Sequence, residues 1–144
     1  MKNLSLKGRV YPTDLNHSGG VFGGWIMSKM DKAASIAIDE IILASALTVS
    51  VTDLHFKEPV KNGDIFTIYT TIEHIGKSSI KVHVDFEIKN HLSNKHYSVV
   101  DAHFTFVAIG EDGHPVPVYK VLRADATEDV VAMAKVGAHQ VETP

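Results

Sequence analysis

The chain of 144 residues contains no cysteine, which excludes disulfide bonds, thiolate catalysis and cysteine-based zinc sites together. It has no apolar run near the ~20 residues that a membrane-spanning helix needs. Neither sign of charge dominates, because 17 acidic residues against 14 lysines and arginines leave a net charge of −3. The composition therefore predicts neither a nucleic-acid partner nor a membrane partner. Residues 1–10 lack the apolar segment of a signal peptide, and we expect a cytoplasmic protein.

Hydrophobic residues make up 44% of the chain and charged residues 22%, both ordinary values for a soluble globular domain. No internal repeat or linker divides the sequence. We therefore predict one domain over residues 1–144, with a C-terminal helix and tail from about residue 120. The nine histidines show no metal-binding spacing such as His-Glu-x-x-His, so we expect no metal and no cofactor.

The period of the hydrophobic pattern changes once along the chain. Apolar residues recur every three or four positions from Trp25 to about Leu43, which predicts a long and largely buried helix. From Ala46 onward the period is two: Val49 and Val51 alternate with polar neighbours, and a parity change predicts a bulge near Thr52 and Asp53. Further strands are predicted at 64–75, 79–89 and 97–109, with a short leading strand at 5–10 and a closing helix at 126–135.

This order of elements predicts an α+β fold. A leading strand and one long helix precede four long strands, and strands joined by short turns pair antiparallel. A helix that is apolar on most of its surface needs a cover. We therefore expect a curved antiparallel sheet wrapped around one long central helix.

Gly23 and Gly24 precede the predicted helix. The first backbone N–H groups of a helix have no partner within it and carry partial positive charge. Glycine lets a ligand approach that backbone closely, so the site can polarise a carbonyl and stabilise an oxyanion. The alternative is a tight entry turn without a ligand. Spacing alone leaves both interpretations open.

Asp31 lies about two turns beyond Gly24 and has no cationic neighbour at helical spacing. A carboxylate on a buried helix is costly without compensation, and functional sites often carry such acids. The alternatives are that it reaches solvent at the helix edge or pairs with a distant cation. Asn16, in the preceding loop, is either an Asx-turn residue or a group that orients a substrate carbonyl.

The turn Gly76-Lys77-Ser78-Ser79 resembles the end of a nucleotide P-loop, but the match fails. The preceding glycine is missing and a strand follows instead of a helix. A lysine and two hydroxyls at a strand turn can still bind a phosphate. The other interpretation is an ordinary solvated turn.

Seven segments, read in order, resemble one known family. They are residues 12–31 (PTDLNHSGGVFGGWIMSKMD), 48–49 (TV), 56–60 (FKEPV), 63–64 (GD), 76–79 (GKSS), 104–109 (FTFVAI) and 115–117 (PVP). Together they resemble the bacterial YciA-like acyl-CoA thioesterases of the hotdog superfamily. The block from Phe22 to Asp31 is the most specific part of the match, which covers roughly residues 10–119.

The resemblance implies a fold, a reaction and an assembly. It implies a hotdog domain in which the thioester carbonyl lies against the Gly23-Gly24 backbone. Asp31 from the facing subunit then acts as general base or nucleophile, with Asn16 beside it. Coenzyme A lies across the subunit interface, and the implied substrate-binding residues are Phe22, Gly23, Lys77, Ser78 and Ser79. The implied partners are an acyl-CoA substrate and further copies of the chain, as a homodimer and a hexamer built as a trimer of dimers.

The sequence departs from the family pattern at three places. Residues 18–20 are Ser-Gly-Gly, residues 32–34 are Lys-Ala-Ala, and Lys77 stands where arginine is common. A lysine cannot make a bidentate phosphate contact. Two other functions compete with hydrolysis. A non-catalytic acyl-CoA-binding hotdog protein would keep the groove without needing the acid, and a hotdog hydratase would need a histidine that the long helix lacks.

Overall fold

The computed structural model describes residues 2–139 and contains five strands and two helices in that range. In chain order they are β1 (Asn3–Arg9), α1 (Gly23–Asp39), β2 (Ser45–Thr52), β3 (Ile65–Ile75), β4 (Ser79–Lys89), β5 (His96–Ile109) and α2 (Glu128–Gly137). The strands form one antiparallel sheet in the order β1-β3-β4-β5-β2. Helix α1 packs against this sheet. The predicted α+β architecture of one long helix on one antiparallel sheet is confirmed. The predicted tail beyond residue 139 lies outside the described residues.

The central strands follow their sequence pattern closely. Alternate side chains of β4 and β5 face α1 and are buried, whereas the intervening polar ones face outward. The buried set is Ile80, Val82, Val84, Phe86, Ile88, Val100, Ala102, Phe104, Phe106 and Ala108. Helix α1 contributes Ile26, Met30, Ala33, Ala34, Ala37 and Ile38. Each large apolar side chain buried in this way contributes about 1.5–3 kcal/mol, so the layer between α1 and the sheet is the main source of stability.

The helix boundaries differ from the prediction at both ends. Helix α1 begins two residues earlier, at Gly23, and ends at Asp39 instead of near Leu43. Ile41 and Ile42 are buried in the core outside the helix. The Leu43 backbone N–H donates to the Val121 carbonyl. Ile41 and Ile42 continue the helical spacing of apolar residues although they lie beyond the helix, so periodicity alone extended the helix too far.

Strand β2 lies at an edge of the sheet and pairs with β5, the last strand in the sequence. The expectation that successive strands follow short connections is therefore wrong between β2 and β3. Residues 53–64 form this connection. It begins with Asp53 at φ 57°, and the Lys57 backbone N–H donates to the Val99 carbonyl at 2.7 Å. This segment carries the chain from one side of the sheet to the other.

The predicted bulge in β2 exists, but at a different residue. The register with β5 shifts between Thr48 and Ser50, which places the extra residue at Val49 and not near Asp53. Thr48 lies opposite the buried Phe106 and so points toward α1, because directly opposed residues share a face. Val49 is 58% exposed. Since a one-residue shift exchanges the two faces of a strand, Val49 does not share a face with Val51 as the alternation implied.

An ionic cluster lies on the outer face of the sheet. His83 Nε2 lies 2.9 Å from one oxygen of Asp101, and Lys57 Nζ lies 2.8 Å from the other. The His83 hydrogen bond, followed by that of Lys57, lowers the pKa of Asp101 to about 2. The alternation of the strands placed His83 on the outer face, but only the register of β4 and β5 brings it to Asp101.

Asp101→Asn should lower stability at neutral pH and lose this effect in acid. The folded-state pKa lies below the ordinary value of 3.8, so the wild-type carboxylate stabilises the fold above that value. The contribution disappears as pH falls from about 4 to 2. The Asp101 side chain is 37% exposed, so the difference at pH 7 should be at most about 1 kcal/mol. Urea unfolding at several pH values measures it, with Asp125→Asn as an exposed control.

Candidate active site

The N-terminus of α1 is open to a ligand. Gly23 and Gly24 form its first turn instead of preceding it, and no side chain caps the helix at Phe22. The first-turn N–H groups have no partner within the helix and lie at the positive end of its dipole. A Cβ atom built on Gly24 would meet no heavy atom within 4 Å. An acceptor oxygen can therefore approach this backbone without a steric barrier.

Aromatic side chains hold this helix end in place. The Trp25 indole nitrogen donates to Asp14 Oδ1 at 3.1 Å, and its ring meets Phe66 edge-on at a centroid distance of 5.5 Å. Phe56, from the connection after β2, lies against Gly23, where a Cβ atom would come within 3.2 Å of the ring. The position of the first turn is thus set from two sides.

Asn16 organises the loop that enters α1. Its Oδ1 accepts hydrogen bonds from the backbone N–H groups of Ser18 at 2.9 Å and Gly20 at 3.2 Å. The Asn16 backbone N–H donates to the Gly20 carbonyl at 2.7 Å. The Asx-turn interpretation is confirmed for the amide oxygen. The Asn16 amide nitrogen has no acceptor among residues 2–139, and its role toward a substrate stays a prediction.

Asp31 lies half-buried on the flank of α1 that faces β2. Thr48 Oγ1 donates to Asp31 Oδ1 at 2.5 Å. Within the described part of the chain no lysine, arginine or histidine forms an ion pair with it. The structure thus shows no cationic partner for Asp31 among the described residues, and it adds a hydroxyl donor that the sequence did not indicate. Its second oxygen remains available to a reacting group.

Thr48 is the site residue that the sequence did not reveal. Within the matched pair Thr48-Val49, nothing in the pattern distinguished a threonine that faces the helix from one that faces solvent. The bulge at Val49 turns Thr48 toward α1. The parity change after Val51 was the available signal, but it pointed to Thr52 and Asp53 and so did not locate the bulge.

The predicted phosphate-binding turn lies on a different part of the sheet from the helix end. Lys77 is exposed, Ser79 is half-buried, and Ser78 is only 3% exposed. Ser79 pairs with Val107, which in turn pairs with Leu47. The turn thus lies level with Leu47 and Thr48, two strand spacings or about 10 Å away.

Gly24 and Asp31 of one chain do not meet. Seven residues separate them along α1, which corresponds to about 10 Å at helical rise. A single carbonyl group therefore cannot lie within contact distance of both residues of one subunit. Phe22, 54% exposed, lies at the same helix end as Gly24.

Two structural findings concern membrane-spanning helices and metal-binding groups. Among residues 2–139, no helix is long and apolar enough to cross a membrane. In the same range, no group of three or more histidine, cysteine or acidic side chains is arranged to hold a metal ion.

The sequence matches a known family over more than half its length. The model of the Thioesterase superfamily matches residues 18–94. An uncharacterized acyl-CoA thioester hydrolase of Haemophilus influenzae is 39% identical over 113 residues, covering 76% of this chain and 73% of that protein. The acyl-CoA thioester hydrolase YciA of Salmonella typhimurium is 34% identical over 117 residues, covering 79% and 88%. The chain belongs to the thioesterase superfamily, and the YciA-like resemblance is confirmed.

Solved structures agree with this assignment. A hexameric broad-specificity acyl-coenzyme A thioesterase, carrying an aspartate-to-alanine substitution, matches with TM-score 0.81 and 31% identity over 96% of this chain and 99% of that one. A hexameric hotdog-fold thioesterase of Campylobacter jejuni matches with TM-score 0.75 and 35% identity over 79% and 88%. The hotdog fold expected from the sequence is confirmed.

A further pair of structures bears on the Asp31–Thr48 contact. The acyl-CoA hydrolase of Staphylococcus aureus has been solved as an aspartate-to-alanine mutant, with TM-score 0.73 and 31% identity over 81% of this chain and 71% of that one. It has also been solved as a threonine-to-alanine mutant. The two substituted positions are 17 residues apart, the same separation as Asp31 and Thr48.

Proposed function

We propose that this protein hydrolyses acyl-CoA thioesters to a free acid and coenzyme A. The observation that carries the proposal is the contact between Asp31 and Thr48. A carboxylate with a hydroxyl donor and no counter-charge has one oxygen held and the other available to act on a substrate. Relatives that share the fold are named acyl-CoA thioester hydrolases, and this supports the substrate class.

The reaction needs one polarised carbonyl and one activated oxygen nucleophile. The thioester oxygen accepts a hydrogen bond from the Gly24 backbone N–H, and the helix dipole stabilises the negative charge that develops there. Asp31 either removes a proton from water as it attacks the carbonyl carbon, or attacks that carbon itself and is released by water. When water attacks, the carbon–sulfur bond breaks as the tetrahedral intermediate collapses. When Asp31 attacks, that bond breaks first and leaves a mixed anhydride, which water then hydrolyses. In both routes the coenzyme A sulfur takes up a proton. The Thr48 hydroxyl orients the carboxylate in either route.

A site of this kind has to be shared between two subunits. Gly24 and Asp31 lie about 10 Å apart along one helix, so the acid facing Gly24 must come from a second copy. Strand β2 offers the contact surface, because it is an edge strand with Leu47 and Val49 each 58% exposed. Such an edge readily pairs with another chain. We propose a homodimer through β2, assembled into a hexamer as in the hexameric neighbours.

The protein also has to bind the coenzyme A part of the substrate. We propose that the exposed Lys77 contacts one of its phosphates, with Ser79 beside it, and that Phe22 borders the acyl group. Ser78 is buried, so its side chain offers little surface to the ligand. The reaction consumes only acyl-CoA and water, and we propose that it requires no cofactor. We also propose the cytoplasm, where acyl-CoA substrates are found, as the location.

Release of free thiol from acetyl-, butyryl- and palmitoyl-CoA tests the proposal. The purified protein should turn over at least one of the three esters. Comparison of the rates also gives the preferred chain length. Tight binding of coenzyme A without any thiol release would contradict hydrolysis and favour a non-catalytic acyl-CoA-binding protein.

A further inference from the structure

Gly137 occupies the last position of α2. Its backbone is not in the left-handed conformation that glycine usually adopts at a helix end. Helices often end with glycine in the left-handed region. Gly137 has no positive φ, and the helix continues into Ala138 in the right-handed region. A glycine within a helix costs about 0.5–1 kcal/mol relative to alanine. Conformational freedom does not explain its presence here.

Close approach of two backbones does explain it. A Cβ atom on Gly137 would lie 2.3 Å from the Ile75 carbonyl oxygen and 2.4 Å from that of Gly76. Real Cβ atoms do not come this near to a carbonyl oxygen. The last turn of α2 therefore rests directly on the turn between β3 and β4, and only glycine permits the contact.

The same turn is held from two other sides. The Ala108 backbone N–H of β5 donates to the Ser78 carbonyl at 2.8 Å, and the Val118 backbone N–H donates to the Lys77 carbonyl at 2.8 Å. Gly76 and Ser78 are buried, whereas Lys77 is exposed. The backbone of the turn is thus fixed on three sides while the lysine side chain projects outward.

We infer that Gly137 is a positioning residue for substrate binding: it seats α2 against the turn and so fixes Lys77 where it meets a phosphate of coenzyme A. This inference rests on the proposed function. Helix α2 lies beyond residue 94, where the family match ends. In this arrangement, α2 acts as a support for the part of the site that recognises the nucleotide end of the substrate.

Gly137→Ala should raise KM for butyryl-CoA about three- to tenfold, the loss expected for one partly exposed charge-assisted contact. The kcat should stay close to that of the wild type, because the contact is remote from the thioester and equal in ground and transition states. The kcat/KM for butyryl-pantetheine, which lacks the phosphates in question, should not change. Lys77→Ala should show the same pattern, and the double variant should add nothing further.

Val130→Ala is the matched control. Val130 is a buried residue of the same helix, 4% exposed, about two turns from Gly137. The alanine variant loosens the packing of α2 without reaching the turn, so KM for butyryl-CoA and kcat/KM for butyryl-pantetheine should stay normal at temperatures where the variant is folded. A KM rise in this control equal to that in Gly137→Ala would mean general destabilisation and would overturn the inference. So would unchanged KM in Gly137→Ala.

If Gly137→Ala does not fold, hydrogen exchange in the wild-type protein decides. The Gly76 and Val118 amides should lose protection together with the amides of α2, as one cooperative unit. If the turn stays protected while α2 opens, the inference that α2 holds the turn in place is refuted. Wild-type protein that releases no thiol from any acyl-CoA would instead refute the proposed function, and the exchange result would still stand on its own.

Discussion

Asp31→Ala is expected to fold normally and to lower kcat about 10²–10⁴-fold, the usual effect of losing a positioned acid or base. The side chain is half-buried and its only hydrogen bond among the described residues is with Thr48. Removal therefore leaves the packing of α1 intact, because the residues that face the sheet are unchanged. Thiol release at saturating butyryl-CoA measures kcat, and circular dichroism checks the fold.

Two variants separate the charge of Asp31 from its orientation. Asp31→Asn keeps the shape and should be nearly as inactive as Asp31→Ala, since an amide is neither base nor nucleophile. Thr48→Val removes the hydroxyl with little change of volume and should cost less, about tenfold, because the carboxylate remains but is less well oriented. Turnover near that of the wild type in a folded Asp31→Ala protein would eliminate Asp31 as the catalytic group.

Gly24→Pro is expected to lower kcat about 10²–10³-fold, as found when one oxyanion donor is removed. Proline is tolerated in the first turn of a helix, where it replaces the N–H group with a ring carbon. Gly24→Ala keeps that donor, and a Cβ atom there meets nothing within 4 Å, so it should be much more active. If the alanine variant loses as much activity as the proline variant, the effect is steric and the N–H is not the donor.

Mixing the two defective proteins tests whether the site is shared. Asp31→Ala and Gly24→Pro subunits, co-expressed at equal levels, should regain about a quarter of wild-type activity, because half the dimers are mixed and each holds one intact site. Recovery no greater than the sum of the separate variants would place both groups in one subunit. Sedimentation equilibrium checks the assembly, and a monomer that retains activity would contradict the β2 dimer.

Predictability from the sequence differed between the parts of the fold. The alternation of β4 and β5 gave the correct inward set, since these central strands have one apolar and one polar face. In β2 the alternation grouped Val49 with Val51, although the bulge at Val49 separates them, because the residues on both faces of this edge strand suit a strand. Periodicity also carried α1 past Asp39, because Ile41 and Ile42 are buried in the core without being helical.

The candidate site divides in the same way. The sequence by itself determined the fold class and singled out Gly24 and Asp31 as candidate site residues, because glycines at a helix start and a carboxylate on an apolar helix are local features that chemistry can interpret. Only the tertiary structure decided that Thr48 holds Asp31 and that Gly137 rests on the turn before Lys77. These contacts join residues far apart in the chain. They depend on a bulge, a register and the approach of two backbones, and none of these leaves a periodic trace in the sequence.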